Sequence, residues 1–213
     1  MTPLAPPPAP AAPAPAAAAS VQTRATLRAF PFLDLYYKLA AARRTRFTVA
    51  YRWRAIAPDG VTWAPAQAAL EFAGERRPIA SSPLGWLERA PTAEELSAHP
   101  PVSLSGPAGW RLGMILAPQL RVTLGASVDP AEVLAAADQF ERGTHSAGPL
   151  TVVIPHFRRV LFVGAAGGRL VDGDGRATAI APVKGELFAS LAALRAAAAV
   201  RFDTPPERVL LLP

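Results

Sequence analysis

The sequence predicts an α+β fold: a mostly antiparallel sheet with two or three packed helices, preceded by a disordered Ala/Pro-rich tether. Three observations predict it. Period-two alternation of apolar and polar residues recurs along the chain, outnumbers the helical stripes, and does not alternate with them as βαβ units would. Turn signals, Asp59-Gly60 and the run Asp172-Gly173-Asp174-Gly175, separate short apolar stretches. Residues 1–20 hold seven prolines and nine alanines and no charged side chain, a composition that favours extended polyproline chain over packing. The organisation expected is a tether over 1–20 and one α+β domain over 21–213.

After the tether, Phe32, Leu35, Tyr36 and Leu39 fall at i, i+3, i+4 and i+7, the apolar face of a short helix opened by Pro31 and closed by Arg43 and Arg44. The clearest strand follows. From Arg46 to Arg54, Phe47, Val49, Tyr51 and Trp53 alternate with Arg46, Thr48, Ala50, Arg52 and Arg54. The pattern predicts an aromatic face turned to the core and a basic face turned to solvent, its arginines paired across the sheet with acids such as Glu71 or Glu75. Ala68, Leu70 and Phe72 form a second strand, Gly74 turns it, and Arg77 to Ala80 returns as its partner.

Residues 81–109 are rich in proline, with one helical turn at Thr92 to Ala98 whose Glu95 sits three residues after the Thr92 cap. Val102 to Ser105 is a short strand. Trp110 to Ala117 and Gln119 to Leu124 are two strands parted by a bend at Pro118. Asp129-Pro130-Ala131-Glu132 is the strongest helix start, with a cap, a proline at the first position and a Glu at the third. Val133, Leu134, Ala137 and Phe140 supply its stripe and Gly143 its end. Thr151 to Ile154, Arg159 to Val163, Arg169 to Val171 and Ala177 to Ala181 are strands, and Gly164 to Gly168 a hairpin turn. Glu186 to Ala198 is a helix with Leu187, Leu191 and Leu194 on one side. Val200 to Phe202 and Arg208 to Leu212 are the last strands.

Cysteine is absent, which removes disulfides, thiol nucleophiles and cysteine-ligated metals together. Three histidines, His99, His145 and His156, lie far apart in sequence and none has the spacing of a metal pair. Gly164-Ala165-Ala166-Gly167-Gly168 follows a strand as a nucleotide loop would, but Leu170 stands where the fingerprint's last glycine falls and a turn follows instead of a helix. Asp172 to Gly175 opens like a calcium loop, but Val183 occupies the place of its twelfth-position Glu. No catalytic residue, metal or cofactor is therefore expected.

The net charge of +6 is local. Residues 21–56 carry eight basic side chains against Asp34 alone, and the rest of the chain is close to neutral. Arg43, Arg44, Arg46, Arg52 and Arg54 form a candidate anion-binding set for nucleic acid, lipid headgroups or acidic glycans. Twenty of the 22 basic residues are arginine, a bias that GC-rich coding also produces. With Phe47, Tyr51 and Trp53 facing the other way, the set lacks the aromatic platform that single-stranded nucleic acid wants.

The order of elements carries a resemblance. Phe30-Pro31-Phe32-Leu33-Asp34-Leu35-Tyr36-Tyr37-Lys38-Leu39 leads into a strand, and Ile154-Pro155-His156-Phe157 precedes Val160-Leu161-Phe162-Val163. Val200-Arg201-Phe202 and Pro206-Glu207-Arg208-Val209-Leu210 follow. This layout resembles an uncharacterised family of small exported proteobacterial domains of unknown function. The resemblance implies a periplasmic or envelope location and a binding or structural role without catalysis. Ala17-Ala18-Ala19 before Ser20 has the small side chains of an export cleavage site, though no uninterrupted apolar stretch precedes it. A cytoplasmic location is the alternative. The expected partner is another envelope protein or an anionic polymer, and no transmembrane segment is expected. An enzyme whose site assembles from distant loops is the third reading.

Overall fold

The computed structural model describes residues 19–145, 156–183 and 185–213. Strand β1 (Ala19–Ala25) leads into α1 (Thr26–Ala29) and α2 (Leu33–Lys38), then β2 (Phe47–Ile56), β3 (Trp63–Pro65), β4 (Gln67–Phe72) and β5 (Glu75–Ile79). Helix α3 (Ala93–Ser97) is followed by β6 (Pro101–Pro107), β7 (Arg111–Leu120), β8 (Ser127–Val128) and α4 (Pro130–His145). The remainder is β9 (Arg159–Val163), β10 (Arg169–Val171), β11 (Ala177–Ala179), β12 (Pro182–Val183), β13 (Glu186–Ser190), α5 (Leu191–Ala196), β14 (Ala199–Arg201) and β15 (Arg208–Leu212).

The described strands form three sheets. The largest has seven strands in the order β12-β13-β9-β15-β7-β2-β3; two four-stranded sheets run β1-β6-β4-β5 and β11-β10-β14-β8. All pairings among the described strands are antiparallel. The fold is α+β as the patterning predicts. Helical segments are more numerous and mostly shorter than expected, with only α4 reaching 16 residues.

β2 is the strand expected, and its register shows why. Over ten residues it pairs with β7, from Phe47 opposite Leu120 to Ile56 opposite Arg111. Phe47, Tyr51, Trp53 and Ala55 enter the main core with Leu120, Phe162, Val160, Val209 and Leu211 from the other strands. The four-stranded sheets add Leu70, Val102, Leu104, Val128 and Val200 to that core, and α4 adds Val133, Ala136, Ala137 and Phe140. Phe140 meets Phe47 edge-on at 5.1 Å, and Tyr51 meets Phe30 likewise at 5.1 Å, geometries that the ring quadrupoles favour.

Several expectations are corrected. Phe32 adopts φ +64 at the start of α2 and stays exposed, so Leu33 and Tyr36 make the buried face instead. Pro118 does not divide two strands: β7 runs through it. β15 pairs with β7 only at Gln119 and Leu120, so beyond Gln119 the strand has a neighbour on one side and a missing amide is tolerated. Glu186 to Ser190 is strand β13, with Leu187 and Ala189 buried alternately against β9, and only Leu191 onward turns helical behind the Ser190 cap. Gly143 lies inside α4, not at its end. A side chain there would press on the Arg43 carbonyl at 3.3 Å, so the glycine permits close approach. Glu132 does not close a capping box. Asp129 accepts from the Ala131 amide, while Glu132 accepts from the amide and hydroxyl of Thr123.

Gly164 to Gly168 link β9 to β10 in a different sheet, so they are no hairpin. Asp172 to Gly175 do close the β10–β11 hairpin, with the Asp172 carboxylate accepting from the amides of Asp174 and Arg176. Ala19 and Ser20, placed in the tether by composition, begin β1 opposite Pro107 and Gly106. The strand expected at Thr151 to Ile154 lies outside the described residues.

Helix α3 is locked as its sequence predicts. Thr92 accepts from the Glu95 amide at 3.1 Å, and Glu95 accepts from the Thr92 amide at 2.9 Å. Arg89 then grips the same carboxylate through both terminal nitrogens, at 2.6 and 2.9 Å. These donors hold the Glu95 carboxyl below the ordinary carboxylate range, Arg89 contributing most and burial opposing. A depressed folded-state pKa stabilises above the unfolded value, about 4.3, and loses that contribution as pH falls through the folded value. Urea unfolding of Glu95→Gln should therefore show a deficit against wild type at pH 7 that shrinks below about pH 4. Thr92→Ala should cost about 1 kcal/mol at neutral pH.

Candidate functional site

Cross-strand register sorts the seven-stranded sheet into two faces. The face opposite the main core carries Arg52 and Arg54 from β2, Arg111 from β7, Arg208 from β15 and Arg159 from β9. Among the described strand residues the one carboxylate on that face is Glu186 of β13, two residues before Phe188, which lies opposite Leu161. Among the described strand residues, five guanidinium groups thus share one face with one acid, and Glu88 and Glu207 of the adjoining loops act on Arg208.

This face is not a flat solvated surface. A second apolar cluster lies on it: Ala50, Trp86, Ala117, Leu161, Val163 and Leu210, with Ile115, Phe188 and Leu212 half-buried at its margin. Arg52 Nη1 stands 3.6 Å from Glu186 Oε1, although β7, β15 and β9 lie between their strands. In a flat sheet those strands would sit about 19 Å apart, so the sheet must coil toward this face for the two side chains to meet.

The segment between β5 and α3 fills the resulting trough. The Leu87 amide donates to the Tyr51 carbonyl at 2.8 Å, extending the β3 edge and setting Trp86 beside Arg52. Gly85, at φ +79, closes the tight turn in which the Ser82 amide donates to the Trp86 carbonyl, and a side chain there would press on Pro65 at 3.3 Å. Trp86 is driven into the trough with 1% of its surface exposed. Arg208 crosses the sheet to donate from Nη1 to the Leu87 carbonyl at 2.7 Å.

Arg52 is stacked between two indoles, 4.3 Å from the Trp63 ring and 5.5 Å from the Trp86 ring. Arg54 stands 5.5 Å from Trp63 as well. Burial draws the Arg52 guanidinium below the usual arginine range, and the Glu186 carboxylate pulls it back. The same burial acts on Arg208, opposed by Glu207 and Glu88. Cation–π contacts with desolvated rings suit arginine, whose weakly hydrated plane loses little by leaving water.

The five arginines of the candidate set do not converge. Arg52 and Arg54 meet at Trp63. Arg44 sits over Tyr36 and Tyr37, at 4.9 and 5.5 Å, and donates to the Leu39 carbonyl. Arg43 and Arg46 are exposed near the start of β2, where the Arg46 amide donates to Gln139. The expected pairing with Glu71 or Glu75 goes to Arg76 and Arg77 instead, and Arg52 takes Glu186. Trp63, Trp86, Glu186, Arg111, Arg159 and Arg208 escape a reading of local sequence because only register across five strands brings them together. His99, at φ +49 after α3, and His156 are both exposed. Among the described residues no three histidine or acidic side chains gather as a metal site. No helix among them is long and apolar enough to cross a membrane.

Compared with known proteins, the chain matches no family model, no curated protein and no solved structure.

Removal of the buried indole should destabilise most. Trp86→Ala is expected to cost about 3–5 kcal/mol in urea unfolding. Arg52→Met, which keeps the stem packed between the rings, should lose far less than Arg52→Ala. Arg54→Ala should stay within about 0.5 kcal/mol of wild type.

Proposed function

We propose that this chain is a non-catalytic binding domain of the cell envelope, and that it holds an anionic polymer across the coiled face of its seven-stranded sheet. The observation that carries the reading is the imbalance of that face, five arginines of the described strands against Glu186, with Glu88 and Glu207 of the adjoining loops acting on Arg208 alone of the five. Arg52 and Arg208 are spent on the fold, stacked or bonded to backbone. Arg111 and Arg159 are exposed, Arg159 also donating from Nε to the Pro213 carbonyl at 3.1 Å, and Arg54 is half-exposed, with Arg46 exposed just before β2. Exposed guanidinium groups above a low-dielectric floor concentrate anions, and pair bidentately with carboxylate, sulfate or phosphate.

The aromatic content favours an acidic glycan or phosphate polymer over single-stranded nucleic acid. Phe47, Tyr51 and Trp53 are buried on the other face, which leaves Trp63, 37% exposed, as the one large aromatic open to solvent among those strands. A stacking platform needs several. The envelope location rests on the resemblance to exported domains and on the small residues before Ser20.

Retention on heparin and on phosphocellulose, eluted with a salt gradient, tests this. The variant Arg46→Ala/Arg54→Ala/Arg111→Ala/Arg159→Ala should elute near the void on both. Arg28→Ala/Arg142→Ala/Arg195→Ala/Arg201→Ala removes the same charge from α1, α4, α5 and β14, and should remain retained. Equal elution of the two variants would refute the surface and leave only net charge. Stronger retention on heparin than on phosphocellulose would assign the glycan.

A further inference from the structure

Sheet edges are hazards, because each offers a row of unpaired amides and carbonyls to any passing strand. Among the described residues six strands stand at edges: β1, β5, β3, β12, β8 and β11. Five are blunted. β5 carries Arg76, Arg77 and Pro78; β3 is three residues long and ends on Pro65; β12 is two residues with Pro182; β8 has two residues and β11 three. β1 differs. It spans seven residues, contains no proline, and pairs with β6 along its entire length. Among the described residues no strand lies against its other edge. Val21 is 58% exposed there, and Gln22, Thr23 and Ala25 are exposed with it.

We propose that β1 is an interface with a second copy of this chain. Two β1 strands pair antiparallel about a two-fold axis at Gln22 and join two four-stranded sheets into one of eight. The sequence suits itself in that register. Val21 falls opposite Thr23, Ser20 opposite Arg24 and Ala19 opposite Ala25. The strand's one charge, Arg24, therefore never faces its own copy. Arg24 is also drawn inward, 5.2 Å from the Trp53 ring, which takes the usual guard of an edge out of the way. The pairing is isologous, so it closes at two copies and does not propagate. Two seven-residue strands bury less than the roughly 1,600 Å² of a standard interface, so the dimer is weak.

Substitution on the outer row tests the register directly. Val21 and Thr23 lie opposite Ser105 and Ser103 of β6, away from the main core, so changing them does not disturb packing. Sedimentation equilibrium from about 10 µM to about 1 mM should show wild type passing from monomer to dimer. Val21→Lys/Thr23→Lys places lysine opposite lysine and should stay monomeric, as should Val21→Glu/Thr23→Glu. An equimolar mixture of the two variants should dimerise at least as well as wild type, and that recovery also shows that both fold. A wild type that remains monomeric throughout, a lysine variant that dimerises like wild type, or a mixture that fails to associate would each overturn the proposal.

Discussion

Two neighbouring residues, Arg52 and Trp53, point to opposite sides of β2, and both are buried. The rest of the molecule follows from that constraint. Most antiparallel sheets with one polar face leave it to solvent. Here Trp53 holds the main core, and Arg52 is roofed by Trp63 and Trp86. A slip of one residue in the β2–β7 register would carry a guanidinium into the aromatic core and two methyl-bearing faces into the wrong layers. Register is therefore specified from both sides at once.

The coil of the sheet has the same origin. Trp86 is too large to lie on a flat sheet beside alanines, and the small side chains of Ala50 and Ala117 make room for it beneath. Strands β9 and β13 then rise around the indole until Glu186 meets Arg52. The pair bridges the trough's two walls, and Arg208 ties the strap that delivers Trp86 to the central strand β15. Positive charge on this face is thus partly a mechanical element and partly surface. Arg52 is buried and Arg208 half-buried, while Arg111 and Arg159 are exposed, Arg159 still donating to the Pro213 carbonyl.

Much of the fold was legible because it is local. The alternation from Phe47 to Trp53, the Thr92–Glu95 box, the Asp129 cap and the Asp172 turn are each encoded within a few residues. What was illegible depends on partners distant in sequence. Leu187, Leu191 and Leu194 have helical spacing, yet β9 recruits the first of them into a strand. Pro118 reads as a break until one sees that β15 has already left β7. Glycines 164 to 168 read as a hairpin because nothing nearby announces a second sheet. The basic face was half legible. Alternation around Arg52 and Arg54 identified it, but its solvation was misjudged, because the tryptophan that covers it arrives from a proline-rich loop some thirty residues on.

The position of β15 shapes how the molecule is made. It lies between β9 and β7, and so joins two halves that otherwise share no backbone ladder within the seven-stranded sheet. Yet it is synthesised after all the strands it joins. The pairs β2–β7 and β9–β13 therefore cannot be joined into one sheet until Arg208–Leu212 is in place. Such late, long-range closure is slow and leaves nascent chain open to mispairing meanwhile.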